Sequence, residues 1–451
     1  MRYDVVVIGG GPAGMTAALA ARMNNPEKKI LLIKDIPEGV VPCGIPYMFS
    51  TLRNPDENRL GNQPLEKNNI EIKSDSVVEI NKGENHVRTV SGDVIFYDVL
   101  ILATGSTPIA PKIDGYEKKG IYTIKKELNY LKNLKEEILG VKDILIIGGG
   151  FIGIEFADEL SDMPGKNIVL VEFLPKILSN TFDDEFSELA FQKLAKKNVK
   201  IITGAKAEKF NGSERVDSVV LSDGQTIPAQ LVILGMGTRP NAELAKSAGL
   251  NVGSTGGVKV DYSMRTSENN IFAVGDCAEK DNFLTGKPES VLLASTAATD
   301  GRIAGSNLSG ITLVSKTNGV IPIYSTKVDD LVVCSAGFTE KTAAKNGLRY
   351  FIGSSEVIDK HPVTMPDANK IRIKLLFSKD SKIILGGQVS GGMSAGEIIN
   401  VIGLAMQNRM TLYDLLTLQI ASHPKLTSAP TVYPLISAAQ DALTKLDVLK
   451  N

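Results

Sequence analysis

The stretch MRYDVVVIGGGPAG, residues 1–14, decides how the rest of the chain is read. Residues 4–8 are a short valine-rich apolar run, the pattern of a strand buried on both faces. Gly9, Gly11 and Gly14 follow at G-x-G-x-x-G spacing, and MTAALAARM then predicts a helix of small residues. The first glycine permits a tight turn, the second lets a pyrophosphate approach the backbone, and the third lets helix and strand pack closely. Unpaired N–H groups and the positive dipole end at the helix start favour an anion there. A bare glycine pattern also fits a plain strand-to-helix turn. Here a strand precedes it and a helix follows, which favours a dinucleotide site at Gly9, Gly11, Pro12, Ala13 and Gly14.

The motif occurs twice. ILIIGGGFIG, residues 144–153, restates VVVIGGGPAG, with Gly148, Gly150 and Gly153 each 139 residues after its counterpart. Phe151 and Ile152 complete the second turn, and two intact copies imply two dinucleotides or two Rossmann-type domains. In such units an acidic residue at the end of the second strand holds a ribose hydroxyl. The second copy supplies Glu172, in NIVLVEF, for the adenosine ribose of NADH. At the same offset the first copy has Ile33, so either Asp35 substitutes or the ribose goes without a carboxylate.

Two further strands end in small residues. YDVLILATGS closes on Ala103, Thr104 and Gly105, and AQLVILGMGTRPN carries Gly235. NNIFAVGDCAE sets Gly275 and Asp276 at the end of another short strand, where a buried carboxylate needs hydrogen-bond donors such as a ribityl chain. The helix expected in SVLLASTAATDGRIAGSNL is rich in small residues and suited to lie against a cofactor. Beyond residue 319 the glycine motifs stop. IPIYSTKVDDLVVCSAG and NKIRIKLLFSKDSKIILGGQVS alternate as antiparallel strands, and AGEIINVIGLAMQNRMTLYDLL predicts two helices.

Composition bounds the function. A chain of 451 residues holds two or three domains, and its formal charge of −1 argues against nucleic-acid or membrane-surface partners. The sequence opens directly into a strand and has no run long enough to span a membrane, so a cytoplasmic protein without a signal peptide is expected. Cys43, Cys277 and Cys334 lie far apart in no zinc pattern, which fits a reducing compartment and no metal site.

Cys43 stands out among the three. In EGVVPCGIPYMFS it is bracketed by Pro42, Gly44 and Pro46, and IPYMFSTL is expected to start a short helix whose N-terminus favours a thiolate. A buried structural cysteine is the competing reading. Cys277 and Cys334 sit in apolar contexts and read as small hydrophobes.

Taken together, GGGPAG, VPCGIPY, ATGSTP, GGGFIGIEF, GMGTRPN, VGDCAE and a C-terminal sheet resemble the pyridine nucleotide-disulfide oxidoreductases over essentially the whole chain. Within them the chain resembles the single-cysteine branch of coenzyme A-disulfide reductases, NADH oxidases and persulfide or polysulfide reductases. The C-x-x-x-x-C relatives have a second cysteine where Met48 stands. The resemblance implies an α/β fold with two Rossmann-like domains for FAD and NAD and a C-terminal α+β dimerisation domain. The expected boundaries are 1–115 with 250–318 for FAD, 116–249 for NAD(P)H, and 319–451 for dimerisation.

The resemblance also implies residue roles. The first glycine turn would hold the FAD pyrophosphate and Asp276 the ribityl chain, the second turn and Glu172 would hold NADH, and Glu155 would lie near nicotinamide and flavin. Cys43 would be the redox cysteine of a homodimer acting on a small disulfide, persulfide or polysulfide. An NADH oxidase reducing oxygen is the alternative enzyme, and a redox-sensing flavin-binding protein the alternative of another class. Pro12 stands where the oxidases and peroxidases typically carry a histidine. His423 and Pro424, in SHPKLTSAP, match the His-Pro-Thr segment that carries a general base in disulfide reductases, but Ser428 replaces the glutamate that orients it. His361, in DKHPVT, falls near a position where coenzyme A-disulfide reductases use tyrosine.

Overall fold

The computed structural model describes residues 1–308 and 317–448. In chain order, β1 (Arg2–Ile8), α1 (Pro12–Asn24) and β2 (Ile30–Lys34) form the first strand–turn–helix–strand unit, followed by β3 (Glu71–Ser74) and β4 (Val94–Leu102). The second unit is β5 (Asp143–Ile147), α2 (Phe151–Ser161) and β6 (Asn167–Glu172), followed by β7 (Lys200–Thr203) and β8 (Leu231–Leu234). Then come β9 (Ile271–Ala273), α3 (Ala294–Ser306), the strands β10 (Ile323–Val328), β11 (Leu331–Gly337), β12 (Tyr350–Ile358), β13 (Lys370–Ser378) and β14 (Ile384–Gly391), and the helices α4 (Ala395–Gln407), α5 (Leu412–Leu416) and α6 (Pro434–Val448).

Contacts gather these elements into two compact units, the first from Met1–Pro111, Tyr122–Gly140 and Met236–Val320, the second from Lys112–Ile121, Val141–Gly235 and Ile321 onward. The expected boundary between 249 and 250 and the assignment of 122–140 to the NAD part differ from this division. Residues 127–135 pack with the first unit, where Glu127 bridges Gly39 and Lys132 pairs with Asp56. The expected 250–318 segment runs through 309–316, outside the described residues.

In the first unit β3, β2, β1, β4 and β9 are parallel, and a hairpin, 77–81 with 86–89, extends the sheet beside β4. Val5, Val7, Leu32 and Ile101 are buried on one face of this sheet, and Val6, Ile33, Leu100 and Ile271 on the other, as continuous apolar strands require. The small residues of α3 pack against α1. A Cβ on Gly301 would stand 2.5 Å from Ala13 O, and one on Gly305 2.5 Å from Ala17 O. The small face therefore lets α3 close on α1, and the segment 290–293 before it is not helical.

In the second unit β7, β6, β5 and β8 form a parallel sheet, and β10, β11, β14, β13 and β12 form an antiparallel one with α4 and α6 packed against it. The strands and the two helices expected beyond residue 319 are all present. No described helix is long and apolar enough to cross a membrane.

Candidate functional site

The two glycine turns are built alike. Gly9 and Gly148 adopt φ of 115° and 110°, values open to glycine. Their N–H groups donate to Ile33 O and Val171 O, both at 2.8 Å. A Cβ on Gly9 would lie 2.1 Å from Ala103 O, and one on Gly148 2.4 Å from Gly235 O. The third glycines are as tight: a Cβ on Gly14 would lie 1.9 Å from Gly9 O, and one on Gly153 1.8 Å from Gly148 O. The middle glycines are open. No described atom comes within 4 Å of where a Cβ would stand on Gly11 or Gly150. Each caps its helix with extended backbone, so α1 begins at Pro12 and Ala13 and α2 at Phe151 and Ile152. Both turns thus present an unencumbered backbone to a helix N-terminus, and this fits a pyrophosphate.

At the second turn Glu172 accepts from Gly149 N–H and from Leu174 N–H, the latter at 2.7 Å, which fixes its carboxylate beside the turn. Lys176 pairs with Asp184 at 3.1 Å. Phe151 stacks on Tyr324 with ring centroids 5.1 Å apart. Glu155, one turn into α2, accepts from Thr326 Oγ1 at 2.7 Å, and burial pushes its carboxyl up to about 7.

At the first turn the register differs from the sequence offset. Val171 pairs with Ile147 as Ile33 pairs with Ile8, so the counterpart of Glu172 is Lys34. The first repeat is one residue longer between the end of its first strand and the residue paired with it on the second. Ile33 is buried in the sheet, and Asp35 lies one residue beyond Lys34, exposed.

Elsewhere in the first unit, Asp276 is half-buried at the end of β9 and accepts from Ser106 Oγ at 2.7 Å, with Lys126 Nζ at 3.4 Å. Gly275, at φ 73°, is held on both sides: its N–H donates to Asp300 at 3.1 Å and its carbonyl accepts from Lys280 at 2.9 Å. Lys280 and Asp300 are themselves a buried pair at 2.8 Å. Thr104 Oγ1 donates to Asn241 O, and Gly105 turns the chain at φ 69°. Lys126, Lys280 and Asp300 carried no signal in the sequence, because the pairs Lys126–Asp276 and Lys280–Asp300 are 150 and 20 residues apart.

Cys43 is exposed and forms no disulfide, with Met48 buried five residues on. The expected short helix after it is instead two 3-10 turns, Pro42–Gly44 and Pro46–Met48. Each is too brief to offer a sizeable dipole. Asn58 braces this segment: its Nδ2 donates to Val41 O at 3.0 Å, and its Oδ1 fills the space a Cβ on Gly44 would need. Cys277 and Cys334 are buried, and burial raises both thiols, Cys334 to about 11, as small core residues require.

The structure brings the two histidine loops together. His361 N–H donates to Pro424 O at 3.0 Å, and His361 Nδ1 lies 3.0 Å from Thr427 O. A carbonyl only accepts, so in the neutral ring of His361 the proton sits on Nδ1 and Nε2 is the acceptor. His423 is exposed, and its Nδ1 accepts from Lys425 N–H at 3.2 Å, which puts the proton of the neutral ring on Nε2.

Among the described residues, one group of carboxylates converges: Asp183, Glu185 and Glu340. Lys374 Nζ lies among them, 2.9 Å from Asp183 and 2.6 Å from Glu185, so the cluster holds its own cation.

Comparison with known proteins agrees with this architecture. A profile described as pyridine nucleotide-disulphide oxidoreductase matches residues 3–301, and one described as the dimerisation domain of the same family matches residues 323–432. The chain is 33% identical over 451 residues to an NAD(P)H coenzyme A polysulfide/persulfide reductase of Pyrococcus horikoshii, covering 98% of each chain. It is 30% identical over 453 residues to an NADH oxidase of Methanocaldococcus jannaschii, covering 98% of this chain and 99% of that one. An NAD-dependent persulfide reductase from A. fulgidus superposes with a TM-score of 0.93 at 31% identity, over 100% of this chain and 84% of that one.

Proposed function

Because the chain belongs to the pyridine nucleotide-disulphide oxidoreductase family, and so is an NAD(P)H-dependent flavoprotein oxidoreductase, we propose that it reduces a small disulfide, persulfide or polysulfide through Cys43. The observation that carries the reading is the accessibility of the cysteines: Cys43 alone of the three is exposed, in the unit that holds the first glycine turn. FAD would be held by the first turn with Asp276, and NADH by the second turn with Glu172. When bound, the flavin supplies storage for the two electrons that arrive from NADH as hydride.

The residues of the chain then have defined tasks. The Cys43 thiolate attacks one sulfur of R–S–S–R′, forms a mixed disulfide, or a persulfide when the substrate is a polysulfide, and expels the other sulfur as a thiolate that takes a proton. Two electrons then return the cysteine to its thiolate and release the second thiol. The sum is NADH + H⁺ + RSSR′ → NAD⁺ + RSH + R′SH. Of the two imidazoles, the hydrogen bonding supports His361 Nε2 as a proton acceptor and His423 Nε2–H as a donor. The dimerisation domain supports a homodimer.

The experiment is Cys43→Ser in the full chain. A hydroxyl cannot form the mixed species, so disulfide and polysulfide reduction should vanish while NADH still bleaches the flavin. The second reading, an NADH oxidase, is favoured by the likeness to the M. jannaschii enzyme. If the wild type converts oxygen efficiently to water and Cys43→Ser switches the product to peroxide, that reading wins. Pro12 argues against it, having no side-chain proton to give.

A further inference from the structure

Because the two glycine turns share their backbone hydrogen bonds, the residues beside them can be matched one to one. Past Ile33 and Val171, whose carbonyls accept from the first glycine of each turn, stand Lys34 and Glu172. Each lies against the middle Gly-Gly of its turn. A Cβ on Gly149 would be 3.0 Å from Glu172 Cβ, and one on Gly10 would be 2.9 Å from Lys34 Cδ and 3.0 Å from its Cβ. The two side chains therefore leave their strands in the same direction and line the same place, which in the second turn is where a ribose diol meets an acceptor. In the first turn that place is lined by the methylene stem of a lysine.

Lys34 is buried, with 7% of its surface exposed, and desolvation lowers its pKa from the ordinary value. Its Nζ donates to Pro37 O at 2.7 Å and to Asn62 Oδ1 at 2.8 Å. Both acceptors are neutral. Of the carboxylates near it, Glu38 is paired with Arg59, and Glu66 acts only through space. A buried ammonium with two neutral acceptors has one donor left and an unspent preference for negative charge.

We propose that Lys34 reads the adenosine ribose at the first turn, donating to its oxygens where Glu172 accepts in the second, so that this site tolerates and favours an anionic group on the ribose. The proposal rests on the reading that the first turn holds FAD. Ribose hydroxyls both donate and accept, so FAD itself satisfies either arrangement. The difference emerges only with a ligand that has lost its donors. A 2′-phosphate would be repelled by Glu172 and welcomed by Lys34.

The test uses full-length protein stripped of flavin and follows FAD rebinding by the quenching of flavin fluorescence, without any turnover. Adenosine 2′,5′-bisphosphate and adenosine 5′-monophosphate are compared as competitors. In the wild type the bisphosphate should compete at least about tenfold better. Lys34→Arg should keep that order, Lys34→Met should remove it, and Lys34→Glu should reverse it. Equal competition in the wild type, or a preference that survives Lys34→Glu, overturns the proposal. If the stripped protein takes up no FAD at all, or if Gly14→Ala rebinds FAD as tightly as the wild type, the reading of the first turn fails and takes the proposal with it. The wild-type comparison needs no variant and so does not depend on any variant folding.

Discussion

The two glycine turns share one backbone and have different surroundings. Glycine conformations, close backbone neighbours and helix starts correspond residue for residue, because a tight strand-to-helix turn leaves few solutions. The residue past the second strand differs in charge, Lys34 against Glu172. The cover of each helix differs as well. On α1, α3 closes through Gly301 and Gly305, whereas on α2 the strand β10 closes and brings Thr326 to Glu155. The position on α1 that matches Glu155, two residues past the third glycine, is Thr16, which packs against Gly301. In the proposed reading the turn itself specifies that a dinucleotide binds. Its neighbours specify which one, and what is done with it.

The harshest way to break this comparison is to put the same methyl group in both turns. Gly14→Ala and Gly153→Ala drive a Cβ into a carbonyl oxygen at 1.9 Å and 1.8 Å, so one part of each turn must move. Gly14→Ala should come off the column with little or no flavin. Gly153→Ala should stay yellow yet be reduced by NADH more than about a hundredfold more slowly. A visible spectrum and an anaerobic NADH titration separate the two. Flavin loss from Gly153→Ala, with Gly14→Ala unchanged, would exchange the roles of the turns.

A milder change makes the second turn resemble the first. Glu172 accepts from two backbone N–H groups beside the turn, and Lys176 is engaged with Asp184 rather than with the carboxylate. The wild type should prefer NADH over NADPH. Glu172→Lys should lower the ratio of their kcat/KM values by about a hundredfold, through loss of the 2′-hydroxyl bonds and gain of a phosphate partner. Comparable wild-type values for the two coenzymes would show that Glu172 does not face the ribose.

The sequence was informative wherever a local pattern carries the structure. Both turns, the strands leading to Ala103, Gly235 and Gly275, the exposed cysteine and the antiparallel C-terminal sheet were all legible. What it concealed is set by distance along the chain. Lys34 was hidden because equal spacing put Ile33 against Glu172, and only strand register reveals that the first repeat is one residue longer. The pair of Lys280 and Asp300, the Lys126 beside Asp276 and the brace of Asn58 on Val41 and Gly44, either side of Cys43, depend on long-range contacts that no spacing announces. The helix expected after Cys43 failed for a local reason: Pro42 and Pro46 each start a turn and deny it the backbone N–H that would continue the one before. The two histidines were both noted in the sequence, but the bond from His361 to Thr427 O depends on loops that meet only in the fold.

The smallest expected effect sharpens the contrast between Glu155 and Thr16, and it is read as stability. Desolvation, with Asp158 and Glu159 nearby, raises the Glu155 carboxyl from an ordinary value of 4.5 to about 7, while the bond from Thr326 opposes the rise. A carboxyl whose pKa is higher folded than unfolded holds its proton more tightly in the folded state. Between these two values the folded protein binds more protons, so stability falls as pH rises through the window, and the full cost is present above it. Glu155→Gln abolishes the titration. Its advantage over the wild type should be close to nil near pH 4.5 and grow to at most about 3 kcal/mol by pH 8, a shift of a few degrees in Tm. Thr326→Val removes the donor that favours the carboxylate, so it should deepen the loss at pH 8 and matter less at pH 5. Replacing Thr16, which has no charge to desolvate, should shift Tm equally at both pH values. Thermal unfolding of the holoprotein at pH 5 and pH 8 reads all three. If the curves of Glu155→Gln and wild type run parallel across that range, Glu155 is not a desolvated acid, and the cover supplied by β10 does not distinguish the second turn from the first.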